Sequence, residues 1–309
     1  MSSVRPPQLP AAGPTSARSS APWPKAFWIA LGALSVLAAL PLQRLFTFAY
    51  AHEFFSYIVL IPFVSAYFVW TERPTMAPAP GQERFLALIP AAVALGLLAL
   101  AWSATPGSAP AQDSLALTTG AFVLLLVALC RWFLGWPTLS GLLFPLGFLV
   151  FLIPFPTGLH VGIETALQHA SAAAAGWMFQ LIGTPIYLEG TLMQLPGFSM
   201  EVAPECSGIR SSMVLLITSV IAGKLFLRNP WSRTVLVFLV IPVSIVRNAF
   251  RITVIGELCV NIGPHMIHSY IHRKGGPIFF ALSLIPLFVG LWLLMRREKA
   301  VSGKLSNQQ

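Results

Sequence analysis

Charge is what this chain has least of: 9% of its 309 residues are Asp, Glu, Lys or Arg, where soluble domains carry about 25%. That scarcity excludes a soluble globule, which needs a charged shell. Cysteine is scarce as well. Cys130, Cys206 and Cys259 are too few for a disulfide framework, and no CxxC spacing or neighbouring His pair marks a structural zinc site. Asp and Glu number 10 against 19 Lys and Arg, a net charge of +9. In a soluble chain that excess would point to nucleic acid. Here the basic residues stand between apolar segments, where they set topology, and no nucleic-acid partner is expected.

What is plentiful is apolar. Hydrophobic residues make up 56% of the chain and the mean hydropathy is +0.76, as expected of helices that are greasy all round because they face lipid. Runs near 26–42, 55–71, 85–102, 115–130, 138–153, 207–223, 234–256 and 277–295 predict an all-α polytopic membrane protein of about eight transmembrane helices. They form a single transmembrane domain over 25–299. The Pro, Ala and Ser-rich stretch 1–24 reads as a disordered leader and not a signal peptide, and 300–309 as a disordered tail. Basic clusters alternate with the runs: Arg5, Arg18 and Lys25; Arg73 and Arg84; Arg131; Lys224, Arg228 and Arg233; Arg296, Arg297 and Lys299. Positive charge inside puts both termini in the cytoplasm and 154–206 outside. Within that outer segment, 158–183 is interrupted by Glu164, Gln168, His169 and Gln180 and reads as an amphipathic helix lying on the outer face or re-entering it. From Ile186 to Val202 the pattern changes to period two around Pro196-Gly197, which predicts a short β-hairpin of two strands kept away from lipid.

Three polar constellations stand out of the apolar background. Cys206 opens the sixth run inside Glu205-Cys206-Ser207-Gly208-Ile209-Arg210-Ser211-Ser212. A thiol in a first helical turn meets free N–H groups and the positive end of the macrodipole, with Arg210 one turn on; Glu205 acts the other way. The competing reading is a small residue packed at a helix end. Arg247 and Arg251, at i and i+4 in Arg247-Asn248-Ala249-Phe250-Arg251, fall roughly 20–26 Å along the helix from Thr234, on the side where positive charge is disfavoured. Snorkelling to outer headgroups is the alternative. His265, His268 and His272, half of the six histidines, occupy the last outer loop. His268 and His272 suit a metal pair in spacing, but no carboxylate joins them in the HExxH manner, so neither metal nor cofactor is expected. Topology thus delivers Cys206, Arg247, Arg251, His268 and His272 to one face, and a thiolate, a fixed cation and an imidazole are the parts of acyl transfer. His52 and Glu53, in the first outer loop, could join them.

The Cys206-Ser207-Gly208-Ile209-Arg210-Ser211 block, followed by Asn248-Ala249-Phe250-Arg251 (NxxR) and His272-Arg273-Lys274-Gly275-Gly276 (HxxxG), resembles the exosortase/archaeosortase family of membrane cysteine transpeptidases. The order, the spacing and the hairpin before the cysteine are similar to that family too, and the resemblance extends from about Gly158 to Gly276. The resemblance implies Cys206 as nucleophile, Arg251 as stabiliser of the oxyanion or thiolate, and His272 as acid/base residue, with Arg247 and His268 as rivals and Asn248 and Arg210 as secondary candidates. It further implies membrane-anchored substrates whose C-terminal signal is a Pro-Glu-Pro type motif, a transmembrane helix and a basic tail, cleaved on the outer side of a bacterial inner membrane, often beside exopolysaccharide machinery. The alternatives are a non-enzymatic component of polysaccharide assembly or polyprenyl-phosphate transport, and an acyltransferase using His272 alone.

Overall fold

A computed structural model describes residues 23–72, 81–103, 111–204, 207–268 and 275–306. The leader and the loop motif carrying His272 therefore lie outside the described residues, as does Cys206. Among the described residues six helical runs are long and apolar enough to cross a membrane, or seven if Lys25–Leu37 (α1) and Ala39–Ala51 (α2), bent by 58° at Ala38, make one broken span. The difference from about eight lies in one place. Two expected spans, 115–130 and 138–153, fall in a single helical run, Ala111–Leu152, in which Gly135 has non-helical φ 73° and ψ 171°. A straight helix of that length would measure about 60 Å, twice the hydrocarbon thickness, so the run holds enough residues for two crossings on either side of Gly135. Arg131, expected in a loop, is buried, with its guanidinium 5.1 Å from the centre of the Trp136 ring.

The chain divides into two compact units, 1–48 with 58–154, and 49–57 with 155–309. In the first, Ala111–Phe148 (α5) is the central element, packed by α1, Ile61–Glu72 (α3) and Leu88–Ser103 (α4). Aromatic edges seat the contacts: Phe27 meets Phe133 and Phe68 meets Phe144 at ring centroid distances of 6.3 and 4.8 Å.

The second unit holds Thr157–Ile182 (α6), strands Tyr187–Glu189 (β1), Leu192–Leu195 (β2) and Phe198–Glu201 (β3), and the helices Ile209–Phe226 (α7), Pro230–Asn261 (α8) and Gly276–Ser306 (α9). The expected hairpin of two strands is an antiparallel sheet of three. Gly190, at φ +60°, turns the chain between Glu189 and Leu192, so the stretch up to Leu195 folds on itself before Pro196-Gly197 reverses it again. The inward residues Met193, Leu195 and Val202 pack with Ala172, Ala175 and Phe179 of α6 and Ala249 and Ile252 of α8. The small α6 residues let these layers approach; at Gly256 of α8 an added Cβ would lie 2.5 Å from the Phe179 ring. Gln168, expected to sit at an interface, is buried and donates to the Val202 carbonyl. The predicted helix over 158–183 is thus present as a long packed element. α9 runs to Ser306, through the start of the tail expected to be disordered, because Arg296 to Lys304 is rich in helix formers.

One end of this unit collects basic residues on three helices. There Glu298 of α9 accepts from the backbone N–H groups of Arg228 and Asn229, at 3.0 Å each, in the α7–α8 connection. Asn229 caps α8 by accepting from Trp231 N at 2.9 Å, with Pro230 at the first helical position. Lys224, Arg228, Arg233, Arg296, Arg297 and Lys299 all belong to these helix ends. The other ends of α7 and α9, about 27 Å away along the 18 residues of α7, border a cleft.

Candidate functional site

Gly208 starts α7 in the left-handed region, φ 75° and ψ 10°, a conformation that costs a residue with a Cβ roughly 1–2 kcal/mol. Its carbonyl collects donors: Ser212 N at 3.0 Å, Ser211 Oγ at 3.0 Å, Ser212 Oγ at 2.9 Å and Arg247 Nη2 at 3.2 Å. The serines of the Gly-Ile-Arg-Ser-Ser block thus lock the first turn, and Arg247 ties that turn to α8. Space enforces the glycine too, since a Cβ here would lie 2.6 Å from Arg247 Nη2 and 3.0 Å from Asn248 Oδ1. Just upstream, Ser207 N donates to Pro204 O at 3.0 Å, so the residues bracketing 205 and 206 are held on both sides.

Gly208, Pro204 and Arg210 line a cleft of about 640 Å³ together with Arg247 and Arg251 of α8. Gly276, Pro277, Phe279 and Phe280 from the start of α9 close another side of the same space. Arg247 is 8% exposed and Asn248 2%, whereas Arg251, one turn further on, is only partly buried. Arg210 faces the cleft and pairs with Glu53, delivered by the 49–57 segment; both side chains are exposed, so the pair is worth at most about 1 kcal/mol.

Of the residues selected from the sequence, Arg247, Arg251, Arg210 and Glu53 come together around this cleft, and Asn248 packs behind Gly208. Cys206 and His272 lie outside the described residues, and His268 ends the 3-10 turn Pro264–His268 that follows α8. Two lining residues were not foreseen as part of a site: His160 and Glu164, at i and i+4 on α6. The His160 ring stacks on Phe54 at 4.4 Å with 13° between planes, and meets Phe55 edge-on at 5.6 Å. The available signal was a polar pair at helical spacing just after Pro154-Phe155-Pro156, at the start of the helix.

The start of α7 tied to Arg247, two guanidinium groups on one face of α8 and the concave space they line form a site that can hold a developing negative charge beside Pro204 and Gly208. Residues 45–289 match the family described as transmembrane exosortase (EpsH), and the chain belongs to that family. It is a multi-span membrane protein of the exosortase kind. No curated protein and no solved structure matches it.

Proposed function

We propose that this exosortase-family protein is a cysteine transpeptidase that removes C-terminal sorting signals, each a short motif, a transmembrane helix and a basic tail, through a thioester on Cys206. The observation that carries this reading is the shared cleft: the turn that brackets Cys206 and both α8 arginines line one space, and Arg247 bonds the turn directly. Cys206 attacks the scissile carbonyl, the Arg251 guanidinium takes the oxyanion, and His272 protonates the departing amine. Arg247 is a positioning residue, holding the Gly208 carbonyl and hence the first turn of α7. Water or an acceptor amine then resolves the thioester.

The basic cluster at the connecting end of α7, α8 and α9 supports the orientation. A cleft one helix length from Lys224, Arg228, Arg297 and Lys299 faces outward when that basic end is cytoplasmic, with both chain termini inside a bacterial inner membrane. The substrate's helix would reach the site laterally through the bilayer by packing against the spans. A link to exopolysaccharide and surface-protein export follows from the family. The test is a tagged signal-bearing substrate in membranes: a hydroxylamine-sensitive conjugate that requires Cys206 is expected, and full processing by Cys206→Ala would sink the enzyme reading in favour of polysaccharide assembly or polyprenyl-phosphate transport.

A further inference from the structure

Forming the thioester employs the cations of the cleft and leaves one carboxylate idle. Arg247 is committed to Gly208, and Glu53 to Arg210. Glu164 also lines the cleft, yet it makes no hydrogen bond or ion pair with any described residue. One helical turn before it stands the His160 ring, stacked on Phe54; both rings line the same space. The departing amine is already served by His272 in the proposed reaction, and the scissile carbonyl and its oxyanion offer a carboxylate nothing to bind. A second substrate does, if it is a cation with N–H donors: an ionised carboxylate is acceptor-only, and an ammonium carries three donors and no acceptor. Aromatic faces within about 6 Å attract the same charge.

We propose that Glu164 and the Phe54–His160 ring pair form the acceptor subsite of the cleft, and that the acceptor is a primary amine. The inference rests on the thioester reading of Cys206. The incoming ammonium binds Glu164 and gives it one proton. The freed nitrogen lone pair attacks the thioester carbonyl, the C–S bond breaks as the amide forms, and the second nitrogen proton passes to the departing Cys206 sulfur. The ammonium and the thioester become an amide, a thiol and a protonated Glu164, with charge conserved. Water can donate to Glu164 as well but carries no charge for it to pair with, so the carboxylate favours an ammonium acceptor and biases the enzyme toward transpeptidation over hydrolysis.

The experiment uses the full chain in lipid nanodiscs with a tagged signal-bearing substrate and biotinylated pentylamine as acceptor, and reads the ratio of amide to hydrolysed product by mass spectrometry. Because both products come from the same turnovers, the ratio is independent of how much variant folds. It should rise and saturate with amine, and the matching biotinylated alcohol should give no ester. Below saturation, Glu164→Gln should lower the ratio at least tenfold, Glu164→Asp should recover part of it, and Phe54→Leu should lower it severalfold. A ratio unchanged in Glu164→Gln overturns the inference, as does equal use of alcohol and amine by the unaltered protein should both variants fail to fold. Absence of any Cys206-dependent cleavage removes the proposed function and this inference with it, whereas cleavage with an amine-independent ratio removes only the inference.

Discussion

Gly208→Ala puts the smallest side chain at the position where two demands meet. The backbone there has φ 75°, which costs an L-residue with a Cβ about 1–2 kcal/mol. The new Cβ would sit 2.6 Å from Arg247 Nη2 and 3.0 Å from Asn248 Oδ1, so the guanidinium must withdraw and its bond to the Gly208 carbonyl is lost, about 1.5–3 kcal/mol for a charged donor. Together these give about 2.5–5 kcal/mol, applied two residues from Cys206, the proposed nucleophile. The lower half of α7 is anchored separately through Leu215 and Ala222 against Leu236, Val240 and Leu287, so the helix should persist while its first turn shifts. The expected result is a loss of substrate processing by two orders of magnitude or more with membrane insertion and expression intact. A double-mutant cycle with Arg247→Ala isolates the cause: if displacement of the guanidinium is the main cost, the two changes are strongly non-additive. Additive losses, or wild-type processing by Gly208→Ala, would refute the reasoning.

Three further expectations concern the rest of the site and its support. Cys206 should be alkylated by a membrane-permeant maleimide faster than Cys130 or Cys259, which are 4% and 2% exposed; faster modification of either buried thiol would remove the case for an activated Cys206. Single cysteines at Trp231 and Ser269, in a background without the native three, should label from opposite sides of the membrane with an impermeant reagent, and labelling from one side would disassemble the site as drawn. Gly256→Ala should destabilise the protein by about 1–3 kcal/mol through overpacking, because its Cβ meets the Phe179 ring at 2.5 Å and Leu195 at 3.2 Å; Phe179→Leu should rescue part of the loss in thermal unfolding in detergent.

The helical membrane architecture was legible because lipid demands long apolar runs, and every run selected from the sequence recurs in a helix. Counts were less legible where punctuation misleads. Arg131 reads as a loop charge, yet it is buried with its guanidinium over the Trp136 ring, and the break falls four residues later at Gly135. Period two over Ile186–Leu195 concealed a turn at Gly190, since a two-residue reversal preserves the alternation on both sides. Arg247, Arg251 and Arg210 could be found because a cation in an apolar segment is costly and therefore conspicuous. His160 and Glu164 could not, because polar residues at the start of a helix beside a Pro-containing turn are also what ordinary interfacial helices carry.

The two arginines of α8 share a face but not an environment, and that difference is the ground for the separate roles proposed for them. Burying a guanidinium is tolerated only where good acceptors compensate it; Arg247, 8% exposed, has the Gly208 carbonyl for this. A group so engaged serves best as a strut, because releasing its acceptor to stabilise a transition state would forfeit the contact that positions the turn. Arg251 lies one turn further toward the end of α8, is less buried and lines the same cleft, where it can reach a charge that develops only during reaction. Both losses should therefore abolish processing by different routes. Arg247→Ala should loosen the α7 start and change the labelling rate of Cys206 without substrate, whereas Arg251→Ala should leave that rate near wild type and fail only in turnover. Arg251→Lys should fail as well, since an ammonium is a point charge without the planar fork that can address thiolate and oxyanion together. Equal labelling in both alanine variants would erase the distinction between strut and stabiliser.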